Sequence, residues 1–171
     1  AISASLAPMG QQVGRMKAFA AGWLENQSIW LHMSFKFYLE LLRGGLYEEF
    51  FAELLKGLPP FMDNDVYGRS PIEACSFIVS SVFPDKRLIG QSFLARLSGS
   101  TAEFMSMWLL MMAGPSPFQM SSDKQLQLKL EPKLPGWMFD KDGRVSFTYL
   151  GSVQVVYENP NHGNTWEMEA K

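Results

Sequence analysis

Near residue 120 the apolar residues change period, and this limits the folds open to the chain more than any other feature. Upstream they recur at helical spacing; downstream they alternate, as in strands that bury one face. The expected class is therefore α then β, divided at 114–123 into a helical part, 1–118, and an antiparallel β part, 119–171. In the first part, 28–43 and 46–56 read as consecutive helices, separated by Gly44-Gly45 and ended by Gly57 and Pro59-Pro60. A third helix is expected over 102–112, closed by Gly114 and Pro115. Between them, 61–100 is rich in Gly, Pro, Ser and Asp, with one short apolar stretch at 77–82, and reads as a long loop region. In the second part, 126–130 alternates, and 145–150 and 153–157 flank a Gly151-Ser152 turn. Asp140-Lys-Asp-Gly143 and Asn159-Pro-Asn-His-Gly163 supply further turns.

Two of the helices are apolar around most of their circumference. On the first only a stripe of Ser28, His32, Lys36 and Glu40 is polar, recurring every four residues and so lying on one face. On the third only Glu103 and Ser106 interrupt Phe104, Met105, Met107, Trp108, Leu109, Leu110, Met111 and Met112. Helices of this kind belong to an inner layer of a larger helical assembly. Composition agrees: among 171 residues 47% are hydrophobic and 19% charged, so there is much to bury and little to keep an isolated surface wet.

The same numbers exclude some functions. A net charge of -2 offers no basic face to a phosphodiester backbone, and nucleic acid is not an expected partner. The single cysteine, Cys75, rules out an internal disulfide framework, fits a reducing compartment and is read as a small buried residue. No apolar run reaches the roughly 18 residues of a membrane span. Residues 1–14 lack the features of a signal peptide. A soluble, cytoplasmic protein with no membrane partner is expected, and the start at Ala1 fits a processed, proteolysed or subcloned chain. No metal-ligand spacing, Walker loop, Rossmann glycine pattern or Ser/His/Asp order occurs.

The chemistry concentrates in a few places. Arg96-Leu-Ser-Gly-Ser-Thr-Ala-Glu-Phe104 sets Ser100 and Glu103 at capping-box spacing, with Ser98 and Gly99 just upstream of the first turn. Hydroxyls, a glycine and the positive end of a helix dipole together suit phosphate or carboxylate, although most Ser-x-x-Glu matches are only caps. His32, on the polar stripe, is either an anion donor or a satisfied core histidine. Glu25 and Asn26 either bind sugar hydroxyls or cap the following helix. Arg69 and Glu73 are either ligand contacts or a loop ion pair.

The order of these motifs is informative. Glu25-Asn26 is followed by His32 seven residues after the glutamate; Ser98-Gly-Ser-Thr-Ala-Glu-Phe104 opens a helix; Leu128-Lys-Leu-Glu-Pro-Lys-Leu-Pro135, Trp137 and Asn159-Pro160 close the chain. In this the chain resembles the cellobiose-phosphorylase family, inverting glycoside phosphorylases with an (α/α)6 barrel and β-sandwich appendages. Tyr67-Gly-Arg-Ser70, Ala95-Arg-Leu-Ser-Gly-Ser-Thr-Ala-Glu103 and Pro135-Gly-Trp137 are closest to the β-1,2-oligoglucan phosphorylase branch. The resemblance implies that 1–118 are C-terminal helices and loops of the barrel and 119–171 a small antiparallel sheet or sandwich segment. It implies phosphate binding by His32 and by a Thr-Gly pair that maps onto either Ser98-Gly99 or Gly99-Ser100, with sugar contacts from Glu25, Asn26, Arg69 and Glu73. The family's Glu-Pro-Tyr is present only as Glu73, without the Pro and Tyr.

The family's general acid is an aspartate upstream of this region, so the chain is expected to hold no catalytic residue and to be inactive alone. The implied partners are a β-glucan oligosaccharide, inorganic phosphate as co-substrate with no cofactor or metal, and the N-terminal part of the same enzyme; a homo-oligomer is compatible. Two rival readings remain: a non-catalytic structural or glycan-binding module, and a fragment of an inverting glycoside hydrolase with the same barrel, in which Glu25 or Glu73 activates water.

Overall fold

Helix α1 spans Leu31–Arg43 and starts three residues later than its periodicity predicts, because the residues before it are drawn into a sheet. Ile29–Trp30 form the short strand β1, and the Ser28 hydroxyl donates to the Leu24 carbonyl instead of opening the helix. The polar stripe on α1 is thus His32, Lys36 and Glu40 without Ser28. Helix α2, Tyr47–Gly57, has Glu48 and Glu49 in its first turn and Lys56 in its last, signs that favour the helix dipole. The two helices bury Leu31, Phe35, Tyr38, Leu39 and Leu42 of α1 and Phe50, Phe51 and Leu54 of α2. Burial of the Tyr38 hydroxyl against this core raises its pKa, and the charge of Glu53 adds to the shift. Contrary to the expected burial on most sides, Met33 and Phe37 on α1 are exposed.

The structure, a computed structural model, describes residues 5–70, 73–95 and 98–168. It comprises two compact units, Ala1–Ser106 and Met107–Lys171, dividing inside the third long helix.

The predicted loop region 61–100 is instead the middle of the first unit. It contains helix α3, Asn64–Tyr67, whose N-cap Asp63 accepts from the Asp65 amide at 2.9 Å. It also contains strands β2, Cys75–Ile78, and β3, Ser92–Ala95. With β1 they form an antiparallel sheet in the order β1-β2-β3, with Trp30 opposite Phe77 and Phe77 opposite Phe93. All four residues of β2 are buried, so the strand has no polar-apolar alternation to betray it. Trp23 packs its ring 5.2 Å from Phe77, 5.4 Å from Phe83 and 4.6 Å from Phe93, making an aromatic core on this sheet. Cys75 is a buried free thiol whose pKa burial pushes up.

Helix α4, Ser98–Ala113, begins four residues before its predicted start. In the second unit it contributes Met107, Met111, Met112 and Ala113 to the core, while Leu109 is exposed. Strands β4, Phe118–Met120, and β5, Leu126–Leu128, form one hairpin, and β6, Arg144–Tyr149, and β7, Val153–Glu158, form another. Phe147 meets Trp108 edge-on at 5.4 Å. The Tyr157 hydroxyl donates to the Met112 carbonyl at 2.6 Å, and burial, aided by Tyr149, leaves its pKa pushed up to about 12. The last helix, α5, Thr165–Met168, is fastened to the segment before β6: the Leu134 amide donates to the Thr165 hydroxyl at 2.9 Å, and that hydroxyl donates to the Pro132 carbonyl at 2.6 Å. The class is mixed helix with small antiparallel sheets; helices lead, but one sheet stands in the first half where none was expected. Among the described residues no helix is long and apolar enough to cross a membrane.

Candidate anion site at the start of α4

Sheet topology brings the two halves of the predicted anion site together. Strands β1 and β3 both pair antiparallel with the central β2 and so run parallel to each other, leaving the sheet at the same end. β1 passes directly into α1, whose second residue is His32, and α4, whose second residue is Gly99, follows β3 after two residues. The His32 ring lies against Gly99. A Cβ placed on that glycine would fall 2.4 Å from Cε1, 2.5 Å from Nδ1 and 2.8 Å from Nε2, inside contact distance of all three atoms. Only a residue without a side chain lets the imidazole sit there.

The first turn of a helix carries amide N–H groups without intrahelical acceptors and the positive end of the dipole. Here that turn contains Ser98, Gly99 and Ser100. Ser100 is the third helical residue rather than the cap, so the predicted capping box does not form; its side chain is buried and engaged. The Ser98 side chain, together with Arg96 and Leu97, lies outside the described residues. Glu103 faces His32 instead of the helix start, with Oε1 3.5 Å from Nε2, and the two side chains are 20% and 30% exposed.

Glu25 and Asn26 stand in a tight turn rather than at a helix entry. The Asn26 amide donates to the Trp23 carbonyl at 3.0 Å and the Gly22 amide to the Asn26 carbonyl at 2.6 Å. Leu24 and Gln27, on either side of the pair, adopt left-handed backbone conformations at φ 43° and 63°, the kind of local strain that surrounding bonds must hold. The Asn26 side chain is buried and donates to the Phe19 carbonyl at 2.7 Å, which makes it a fastener of this turn. Glu25 pairs with Arg15 through Oε1, while its Oε2 is buried without a hydrogen-bond partner among the described residues.

Arg69 and Glu73 form a loop ion pair at 2.5 Å, and the Arg69 Nε also reaches the Ser92 carbonyl at 3.4 Å. Beside them Tyr67 is fully buried. Its hydroxyl donates to the Glu73 carbonyl at 2.7 Å and accepts from the Cys75 amide at 3.1 Å, and burial pushes its pKa well above the ordinary tyrosine range. Glu73 precedes β2 by two residues and so stands near the end at which β1 and β3 leave the sheet. The structure joins His32 with Gly99 and Glu103; Glu25 and Asn26 belong to a separately bonded turn.

Two partners carried no readable signal. Arg15 reaches Glu25 from a 3-10 segment, Gln11–Ala18, that shows no pattern in the sequence. Glu103 reads as a capping residue, although its place four residues after Gly99 puts both on one helix face. Among the described residues no group of three or more His, Cys, Asp or Glu side chains is placed to hold a metal ion. Trp23, Trp30 and Trp108 are each half-buried, and Trp137 is exposed. No protein-family model matches the chain, and no curated protein matches it in sequence.

Proposed function

We propose that the chain is the C-terminal, phosphate-holding part of an inverting glycoside phosphorylase related to cellobiose phosphorylase, acting on β-linked gluco-oligosaccharides, with an (α/α)6 barrel completed by an upstream portion that carries the general acid. The observation that carries the reading is the packing of the His32 imidazole onto Gly99 in the first turn of α4. Ring N–H and helix amides then stand close enough to serve one oxyanion, which is the positioning that a phosphate nucleophile requires.

In such a reaction the upstream acid protonates the leaving glycosidic oxygen, and phosphate attacks the anomeric carbon from the opposite face in place of water. Phosphate needs no general base. It needs a holder that fixes its orientation and compensates its charge, the role assigned to His32 and the Ser98-Gly99-Ser100 turn. Exposed Met33 and Phe37 on α1 and Met105 and Leu109 on α4 are consistent with helices that a larger assembly covers. The hydrolase reading needs a carboxylate free to activate water, whereas Glu25 and Glu73 are each held by an arginine. A glycan-binding module would present its aromatics as an open platform, whereas Trp23, half-buried, packs its ring against three phenylalanines.

The test is an assay of the enzyme that joins this chain to its upstream portion, supplied with β-linked gluco-oligosaccharides. The proposal predicts sugar 1-phosphate release that requires inorganic phosphate and falls by at least about tenfold in H32A. Release of free sugar at the same rate without phosphate sinks it.

A further inference from the structure

Gly99 and Glu103 stand four residues apart on α4 and therefore project from one face of the helix. Both meet the same imidazole: the ring packs on Gly99, and Nε2 lies 3.5 Å from the Glu103 carboxylate. This pair differs from two ion pairs that lie within single helices. Arg43 with Glu40 and Lys56 with Glu53 are i,i+3 neighbours on a single helix surface, where such pairs contribute little. His32 and Glu103 come from two different helices and are both mostly shielded from water.

We propose that Glu103 is the positioning residue of the anion site, holding His32 through Nε2 so that Nδ1 is the nitrogen left to serve the bound oxyanion. The inference rests on the phosphate reading of the site. Which imidazole nitrogen carries the proton is set by the bond the other one makes. A carboxylate beside Nε2 favours a proton on that atom; in the neutral ring Nδ1 then carries only a lone pair, so it is the doubly protonated ring that can donate to an oxyanion. When the imidazole is doubly protonated, one N–H is shared with Glu103 and the other is presented to the anion. Gly99 is the complementary half of the device, because any side chain there would drive the ring off both contacts. A carboxylate near an anion site would otherwise only repel the ligand, so the two roles predict opposite effects of neutralising it.

The test uses the 171-residue chain labelled with nitrogen-15, whose two histidines, His32 and His162, give ring signals that an H162Q variant tells apart. Long-range proton–nitrogen spectra are recorded for the wild type, E103A and E103Q, without and with inorganic phosphate. The proposal predicts a wild-type His32 protonated on Nε2 without phosphate and on both ring nitrogens with it, a pattern retained in E103Q, whose amide oxygen still accepts, and lost in E103A. Phosphate should bind E103A about tenfold more weakly and E103Q no more tightly than the wild type. Unchanged ring signals in E103A overturn the proposal, as does tighter phosphate binding by either variant. Should E103A unfold, seen in its backbone amide spectrum, E103Q decides: a changed tautomer or tighter phosphate binding overturns the proposal, and the wild-type tautomer without tighter binding upholds it. If the tautomer changes as predicted but phosphate perturbs no form of the protein, Glu103 still positions His32 and the phosphate reading is what fails.

Discussion

The first unit builds its sheet from segments far apart in the chain, whereas the sheets of the second are hairpins. In the first, Trp23 packs on Phe77, Phe83 and Phe93, and the Ser92 hydroxyl donates to the Tyr67 carbonyl at 2.8 Å across 25 residues. In the second, β4 pairs with β5 and β6 with β7 across short turns. The contrast matters for function because the candidate site belongs to the long-range part. His32 and Gly99 meet only after three strands distant in sequence have paired, so the site exists only when the tertiary fold does.

The largest expected effect breaks that long-range core. F77A removes a fully buried ring that touches Trp23, Trp30 and Phe93, and should cost about 3–5 kcal/mol by the usual cost of emptying an aromatic site. Hydrogen exchange should show lost protection across 5–95, with 107–168 less affected; equal loss in both would make the two units one cooperative structure. G136A is the counterpart in the second unit. Its Cβ would fall 1.8 Å from the His162 carbonyl oxygen, a backbone atom that cannot rotate away, so destabilisation near the upper end for overpacking, about 3 kcal/mol, is expected by chemical denaturation.

A smaller effect comes from Tyr157. Y157F leaves the Met112 carbonyl without its donor and should cost about 1–2 kcal/mol. The pH dependence has a definite sign. Tyr67 and Tyr157 have folded pKa values raised above the ordinary value of 10.0, so their contribution is complete below about pH 10 and is lost as pH rises toward 12. Y157F should flatten this alkaline loss for the second unit, and an unchanged pH profile would remove Tyr157 as its source. The smallest effect is expected at the β4–β5 hairpin: Leu126 is 68% exposed, so L126S should move stability by less than about 0.5 kcal/mol. A larger loss would mean that the alternating apolar face of this hairpin is covered.

Much of the helix content was legible, because Phe35, Leu39 and Leu42 on α1 and Phe50 and Leu54 on α2 keep helical spacing on their buried faces. The β6–β7 hairpin was legible too, from alternation around Gly151-Ser152. The three-stranded sheet was not. β1 has two residues, β2 is buried on both sides, and strands this short carry no period. Of the site, the resemblance led us to expect His32 and the Ser98-Gly99-Ser100 segment at one phosphate, but the sheet that brings His32 and Gly99 together was not legible. The Glu103 pairing was hidden by a capping-box spacing that the helix does not use, since α4 starts at Ser98.

The central claim is that the His32 ring and the first turn of α4 hold one anion, and a phosphate titration of the labelled chain followed by amide and ring signals tests it most directly. The account predicts that Gly99, Ser100 and the His32 ring shift together with a single affinity, and that G99A, whose Cβ would displace the ring while leaving the helix folded, abolishes the response. Shifts confined to other residues, or a G99A protein that binds phosphate as the wild type does, would contradict it.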